Sequence, residues 1–311
     1  MAYSIQELEQ MLQQSDNIKD NAKRDLAWQE TMKNYHGDDE VISFSEALEL
    51  TKAEYSGFAA KTGFAGLDAA LKEVRENDLV LITGDPGAGK TTLAMSITSN
   101  LSDNGIAGLW FSMEVGLYDF LRKFGNRLPN GFTPKSIVNR NMVWIERRIV
   151  EGVAKFNTRV VFIDNFNALD DYYSSGKGEP ISIHLGNLAM QIKKIALKYH
   201  IIIVLLVHSG KAESGQTVSW KNIRDSQLVA NACDSIIVVW RKEKKGRGVD
   251  GLEYEPYSVA AVQKNRRFGD LGKCYLRVRD GLFYDATREQ ENYEKSKYDA
   301  GDDFKVSGMF D

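Results

Sequence analysis

The stretch that decides the fold runs from residue 79 to residue 97 and reads Leu79-Val80-Leu81-Ile82-Thr83-Gly84-Asp85-Pro86-Gly87-Ala88-Gly89-Lys90-Thr91-Thr92-Leu93-Ala94-Met95-Ser96-Ile97. Its first part is an apolar run of strand length, its middle is rich in glycine, and its last part has apolar residues at helical spacing. The middle fits the pattern G-x-x-x-x-G-K-[ST], in which backbone N–H groups and the positive end of the following helix surround phosphate groups. The stretch therefore predicts a strand, a phosphate-binding loop and a helix in direct succession.

The loop supplies the candidate residues for binding ATP, which are Gly84, Asp85, Pro86, Gly87, Ala88, Gly89, Lys90, Thr91 and Thr92. Lys90 is predicted to neutralise the β- and γ-phosphates, and Thr91 to hold Mg²⁺. The flanking strand and helix argue against the alternative, a glycine turn beside a solvated lysine. ATP and Mg²⁺ are therefore the predicted cofactors.

Composition sets limits on the class of protein. The chain has 311 residues, 43% of them hydrophobic, and a net charge of −3. It can bury one large core with short extensions, and its charge gives no overall attraction for nucleic acid, so a polyanion would need a local basic patch. The two cysteines, Cys233 and Cys274, lie in apolar surroundings without metal-ligand spacing and indicate buried thiols in a reducing compartment.

No apolar run approaches twenty residues, and the first residues carry no secretion signal. We therefore expect no membrane partner and a cytoplasmic location, which would be the bacterial host's cytoplasm if a phage encodes the chain.

Three regions are predicted. Residues 1–60 are polar and helix-prone without a β pattern, and they form a short helical extension that packs on its own core or on a neighbouring subunit. This extension includes a narrow apolar stripe (Ile5, Leu8, Met11, Leu12) and a helix that begins at the capping box Ser43 to Glu46 and ends near Tyr55. Residues 61–286 form the globular core, and residues 287–311 form a disordered acidic tail.

The core is predicted to be an α/β domain with a mostly parallel central sheet flanked by helices. Strands are expected at 79–83, 107–112, 160–164, 201–207, 235–240 and 257–262, and a final hairpin at 274–278 and 282–284. Helices are expected at 117–127, from Pro134 to about Lys155, and at 185–198.

Polar residues close three of these strands, where ligands of open α/β sheets bind. Asp164 is a candidate for holding the waters around Mg²⁺, with a turn-capping aspartate as the alternative. Glu114 is a candidate for the base that accepts a proton from the attacking water, with a surface glutamate as the alternative. His208 is placed to bond the γ-phosphate, although lone histidines are often structural.

Two long loops leave the same sheet edge. Their lysines, hydroxyls and glycines suit contact with a phosphodiester backbone, and the candidates are Ser174, Gly176, Lys177, Lys211, Ser214 and Gly215. Two solvated loops are the alternative.

A basic cluster closes the sixth strand at Lys264 and Arg266. These cations cannot serve the nucleotide that Lys90 holds unless the chain folds back on it. The nucleotide of a neighbouring subunit is the natural target, where an arginine supplied in trans stabilises the charge of phosphoryl transfer. A solvated basic turn is the alternative.

Several stretches together resemble the DnaB-like replicative hexameric helicases and the related phage primase-helicases, which have RecA-like P-loop ATPase cores. The resemblance covers residues 60–285 and rests on these matches: Thr62-Gly63-Phe64, Leu67-Asp68, Gly84 to Thr92, Phe111 to Glu114, Ile163-Asp164-Asn165, Val207-His208, Ile223 to Ser226, Ala232-Cys233-Asp234 and Lys264-Asn265-Arg266 with Gly269 and Gly272.

The resemblance implies an ATP-dependent helicase that moves on single-stranded DNA as a hexameric ring. It implies that Glu114 is the catalytic base, Asp164 the Mg²⁺-associated residue and His208 a phosphate sensor. Lys264 and Arg266 would act across the subunit interface, the two loops would line the DNA channel, and the N-terminal helices would dock on the adjacent subunit. A primase, a loader or a single-strand-binding protein are further candidate partners.

The chain also departs from these helicases. Only 50 positions separate Glu114 from Asp164, a spacing closer to recombinases and RadA-like ATPases, and we expect no primase domain. Two other functions therefore stay open: a recombinase or recombination mediator that forms filaments or rings on DNA, and a KaiC-like regulatory ATPase.

Overall fold

A computed structural model describes Gln10 and residues 21–33, 40–54, 57–125, 127–137, 140–169, 181–208, 227–242 and 257–289. The chain divides into two compact units, Met1–Ser56 and Gly57–Asp311. Within the described ranges, no helix is both long enough and apolar enough to cross a bilayer.

The first unit contains helices α1 (Asn21–Met32) and α2 (Phe44–Glu54). The predicted capping box is present: the backbone N–H of Glu46 donates to Ser43 Oγ at 3.2 Å, and the backbone N–H of Ser43 donates to Glu46 Oε2 at 2.9 Å. These reciprocal bonds explain why α2 begins at Phe44. The predicted apolar stripe at residues 5–12 lies outside the described residues, and packing of this unit on a neighbouring subunit stays a prediction.

The second unit is built on a nine-stranded sheet. Its strands are β3 (Leu79–Gly84), β4 (Gly108–Ser112), β5 (Gly131–Phe132), β6 (Val160–Asp164), β7 (Ile202–His208), β8 (Ser235–Lys242), β9 (Tyr257–Asn265), β10 (Gly272–Arg279) and β11 (Leu282–Asp285). Their order across the sheet is β11-β10-β9-β8-β3-β7-β6-β4-β5. Six neighbouring strands run parallel, in the order β8, β3, β7, β6, β4 and β5. Strands β9, β10 and β11 extend the sheet beside β8, and each pairs antiparallel with its neighbour. The prediction of a mostly parallel sheet is confirmed.

The helices of this unit are α3 (Ala65–Leu71), α4 (Lys90–Asp103), α5 (Leu117–Arg122), α6 (Met142–Phe156), α7 (Ile181–Tyr199) and α8 (Gln227–Ala232). They cover both faces of the sheet. Because side chains alternate along a strand, Val80 and Ile82 of β3 join the apolar cluster under α3 and α4, whereas Leu79 and Leu81 join the cluster under α6 and α7. Strands β3, β4, β6 and β7 are buried on both faces, as their continuous apolar runs predict.

Three expectations about secondary structure are corrected. A short strand pair, β1 (Ala59–Ala60) with β2 (Val74–Arg75), belongs to the second unit, although residues 1–60 were expected to contain no strand. The helix expected from Pro134 begins only at Met142, because Asn141 caps it by accepting a hydrogen bond from the backbone N–H of Trp144 at 2.9 Å. Residues 287–289, expected to be disordered, are helical. The rest of the tail lies outside the described residues.

Candidate nucleotide site

The phosphate loop connects the buried strand β3 to helix α4. Gly87 and Gly89 have φ angles of +76° and +100°, which favour glycine. A Cβ on Gly89 would also lie 2.6 Å from Cζ of Phe283, so only hydrogen fits there. Gly89 is the cap of α4 and carries no side chain, so the first N–H groups of that helix are open to an anion.

Lys90 is buried beside this loop, with 6% of its surface exposed. Its Nζ donates to the carbonyl oxygens of Gly84 at 2.9 Å and Asp85 at 3.0 Å. Burial lowers the pKa of Lys90, and the negative charges of Asp164, Glu114 and Asp85 act in the opposite direction. An ammonium has three protons, so one more is available for a phosphate oxygen.

Thr91 and Asp164 meet next to the loop. Thr91 Oγ1 donates to Asp164 Oδ2 at 2.8 Å, and Asp164 is buried at the end of β6. Burial raises the pKa of Asp164, while the hydrogen bond from Thr91 lowers it.

This oxygen pair fits Mg²⁺, which typically takes one or two carboxylates, substrate phosphates and waters. Clusters of three or more metal-ligating side chains are absent from the described ranges. A bound Mg²⁺ would neutralise charge on the phosphates.

Glu114 lies two residues beyond β4, next to the ends of β6 and β7. Its Oε1 accepts from Asn165 Nδ2 at 2.5 Å and is 2.8 Å from His208 Nε2. Burial alone would raise the pKa of Glu114, but the hydrogen bonds from His208 and Asn165 and the charge of Lys90 outweigh burial and lower the pKa. These contacts favour the charged form of the carboxylate, which is the form that a base requires.

Lys264 and Arg266 lie near the opposite ends of the strands, away from the phosphate loop. On β8, Lys264 pairs with Ile236 near the start of the strand, whereas Gly84 pairs with Val239. The distance from Ile236 to Val239 corresponds to about 10 Å along the strand. Lys264 Nζ donates to the carbonyl oxygens of Ala230 and Cys233, so the structure does not bring these cations to the chain's own phosphate loop.

Sequence reasoning thus located the loop residues, Asp164, Glu114 and His208 at one edge, and the structure places them there together. It gave no role to Asn165, although its position directly after Asp164 was a signal. The six candidate DNA-contacting residues, from Ser174 to Gly215, lie outside the described residues.

A family model matches part of this chain. The model of a family described as Novel STAND NTPase 3 matches residues 64–179. A search of curated proteins gave no match.

Three solved structures are similar to this chain. A DnaB-like replicative helicase, whose description includes its interactions with primase, is 18% identical with a TM-score of 0.62 over 89% of this chain and 74% of that one. A second structure, described as an ATPase domain, is 18% identical with a TM-score of 0.63 over 78% of this chain and 99% of that one. A KaiC-like protein from the archaeon Pyrococcus horikoshii OT3 is 17% identical with a TM-score of 0.52 over 73% of this chain and 99% of that one.

The chain has the fold of a RecA-like P-loop ATPase, with its phosphate loop between β3 and α4. Within that class, the fold is similar to those of the DnaB-like replicative helicase and of the second structure, the ATPase domain.

Proposed function

We propose that this chain is an ATP-driven helicase motor that moves along single-stranded DNA as a hexameric ring, with ATP bound between subunits. The observation that carries the proposal is the separation of two groups of residues. Lys90, Thr91, Glu114 and Asp164 lie at one sheet edge, and Arg266 lies at the other. A site assembled from two subunits would unite them.

In the proposed reaction, a water oxygen bonds to the γ-phosphorus while the bond to the β–γ bridging oxygen breaks. The water's proton goes to Glu114, and ADP leaves with the electron pair of the broken bond. Lys90 binds the phosphates, and Thr91 and Asp164 would hold Mg²⁺, which would supply positive charge to the phosphate oxygens. His208, which contacts Glu114, senses the γ-phosphate.

Across the interface, Arg266 and Lys264 of the next subunit stabilise the negative charge of the transition state. Hydrolysis moves residues 170–180 and 209–220, which bind the DNA through the six candidate residues named above. A primase, a loader or a single-strand-binding protein are proposed partners, and the cytoplasm is the proposed location.

The test is ATP hydrolysis with and without a single-stranded oligonucleotide, combined with images of the particles and fork unwinding. We expect DNA-stimulated hydrolysis, six-membered rings and strand separation, with Lys90→Ala as the inactive control. A chain that stays monomeric with nucleotide and DNA, yet hydrolyses ATP at full speed, would overturn the proposal.

The KaiC-like neighbour supports a second candidate, a regulatory ATPase without a DNA partner. Hydrolysis that is insensitive to DNA would favour this candidate. A recombinase is the third candidate, supported by the short spacing between Glu114 and Asp164. Filaments on DNA without fork unwinding would favour it.

A further inference from the structure

Asn165 has two hydrogen bonds that fix the orientation of its side-chain amide. Its Oδ1 accepts from the backbone N–H of Asn167 at 2.6 Å, and its Nδ2 donates to Glu114 Oε1 at 2.5 Å. A backbone N–H can only donate, so the amide oxygen has to face Asn167. The NH₂ group is thereby directed at Glu114. Asn165 is buried, with 6% of its surface exposed, so water competes little for either bond.

Both polar contacts of the Glu114 carboxylate in the described ranges involve the same oxygen. Oε1 accepts from Asn165 and lies within hydrogen-bonding distance of His208, whereas Oε2 has no hydrogen-bond partner among those residues. Asn165 and His208 approach from the ends of two neighbouring strands, β6 and β7. Together they fix the direction of the carboxylate and leave Oε2 able to accept a hydrogen bond from water.

We propose that Asn165 is the positioning residue of the proposed general base. Its amide holds Oε1 of Glu114 so that Oε2 faces the attacking water. The inference rests on the proposed role of Glu114 in hydrolysis. An amide does not titrate, so Asn165 maintains this orientation whether His208 is charged or neutral.

A purely structural role for Asn165 would need only its oxygen, which caps the turn at residues 166–168. Two substitutions separate the roles. Asn165→Asp keeps an oxygen for the N–H of Asn167 but places a carboxylate against Glu114. Asn165→Ser stays neutral and can cap the same turn, yet its side chain is too short to reach Glu114. Asn167→Ala is the matched control, because Asn167 is exposed and its contact uses only its backbone.

The first experiment measures kcat for ATP and the affinity for a non-hydrolysable ATP analogue with Mg²⁺. We expect both Asn165 variants to lose about tenfold to a hundredfold in kcat. Their affinity for the analogue should stay within about threefold, because the side-chain hydrogen bonds of Asn165 go to Glu114 and Asn167 and not to phosphate loop residues. Asn167→Ala should behave like the wild type. If both Asn165 variants keep kcat within about threefold, or lose affinity in proportion to kcat, the inference is wrong.

The second experiment tests the contact without activity, through the midpoint of thermal unfolding. In the double variant Glu114→Gln with Asn165→Asp, the new amide can donate to the new carboxylate, so donor and acceptor are exchanged. We expect the midpoint to recover above that of Asn165→Asp alone. The pair Glu114→Gln with Asn167→Ala should show only additive effects. Additive effects in both pairs would overturn the inference.

The two proposals can fail separately. If Glu114→Gln is inactive while the Asn165 variants are active, only the positioning role is wrong. If Glu114→Gln hydrolyses ATP at the wild-type rate, the proposed base is wrong, and the positioning role with it.

Discussion

Arg266 NH1 donates to Asp234 Oδ1 across 3.2 Å, at the edge of the sheet opposite the phosphate loop. The other oxygen of the same carboxylate accepts from Lys193 Nζ at 2.6 Å and from the backbone N–H of Leu79 at 2.8 Å. Leu79 is the first residue of β3, the strand that ends at the phosphate loop. Asp234 therefore links Arg266, which is proposed to act on the neighbouring subunit's nucleotide, to β3, the strand that leads into this subunit's own phosphate loop.

Replacing Arg266 by Ala should leave nucleotide affinity nearly unchanged and lower turnover by about a thousandfold, as expected for an arginine supplied in trans. The decisive measurement mixes this variant with Lys90→Ala. A mixed interface can combine an intact phosphate loop with an intact arginine, so the mixture should hydrolyse ATP faster than the two variants measured separately. A mixture no faster than their sum would contradict action in trans.

Replacing Thr91 by Ala should raise the Mg²⁺ concentration needed for half-maximal hydrolysis, because Thr91 Oγ1 and Asp164 form the oxygen pair that fits the metal. We expect a rise of about tenfold or more, the size of effect seen when metal-site interactions are removed. Thr91→Ser is the control, since it keeps the hydroxyl and should respond to Mg²⁺ like the wild type. An unchanged Mg²⁺ dependence in Thr91→Ala would exclude this role.

Replacing His208 by Ala should move the acid limb of the pH profile of kcat/KM to higher pH. The pKa of Glu114 is lowered in the folded chain even though burial opposes this, and the hydrogen bond to His208 is one cause. Removing that bond raises the pKa, so Glu114 becomes protonated, and inactive as a base, at a higher pH.

The lowered pKa of Glu114 also determines how its contribution to folding stability changes with pH. The folded chain binds this proton less readily than the unfolded chain, so Glu114 stabilises the fold above its ordinary pKa of about 4.3 and the contribution is lost as the pH falls. The control is circular dichroism at each pH, which should show that the chain is folded over the whole range of the profile. An acid limb that does not move would contradict the contact between His208 and Glu114.

Replacing Arg159 by Ala should destabilise the chain by about 3–5 kcal/mol in denaturant unfolding, because it breaks a buried ion pair by removing one of its members. Glu76 is fully buried at its side chain and pairs with Arg159 at 2.8 Å. Lys155→Ala is the control, since Lys155 forms an exposed pair with Glu151. The denaturant concentration at the unfolding midpoint of Lys155→Ala should match that of the wild type. Equal effects of the two substitutions would show that the burial of Glu76 does not matter.

Both thiols should resist alkylation in the native chain at pH 8 and react once it is unfolded. Cys233 and Cys274 are fully buried, and burial raises the pKa of Cys233 to about 12 and that of Cys274 as well. The thiolate is the reactive form, so both low access and a raised pKa slow the reaction. Rapid labelling of a folded sample would contradict this burial.

The sequence was sufficient for features that depend on short patterns. Runs such as Val160 to Asp164 could be assigned as strands because both faces of a parallel sheet are buried, and the phosphate loop is a contiguous motif. The antiparallel direction of β9 could not be deduced, since direction depends on pairing with β8. The contact of Asn165 with Glu114 and the side-chain contacts of Asp234 were also hidden, because these partners are 51 residues and at least 32 residues away and meet only in the folded sheet.

The contact between Gly89 and Phe283 has a consequence for biosynthesis. The loop near the start of the core rests against a ring that the ribosome adds almost two hundred residues later, and both strands beside β3 are also made after it. A growing chain therefore cannot complete the packing around its phosphate loop until the last hairpin has emerged. Such late, long-range contacts form slowly, so the loop is fully packed only in chains whose core is already assembled.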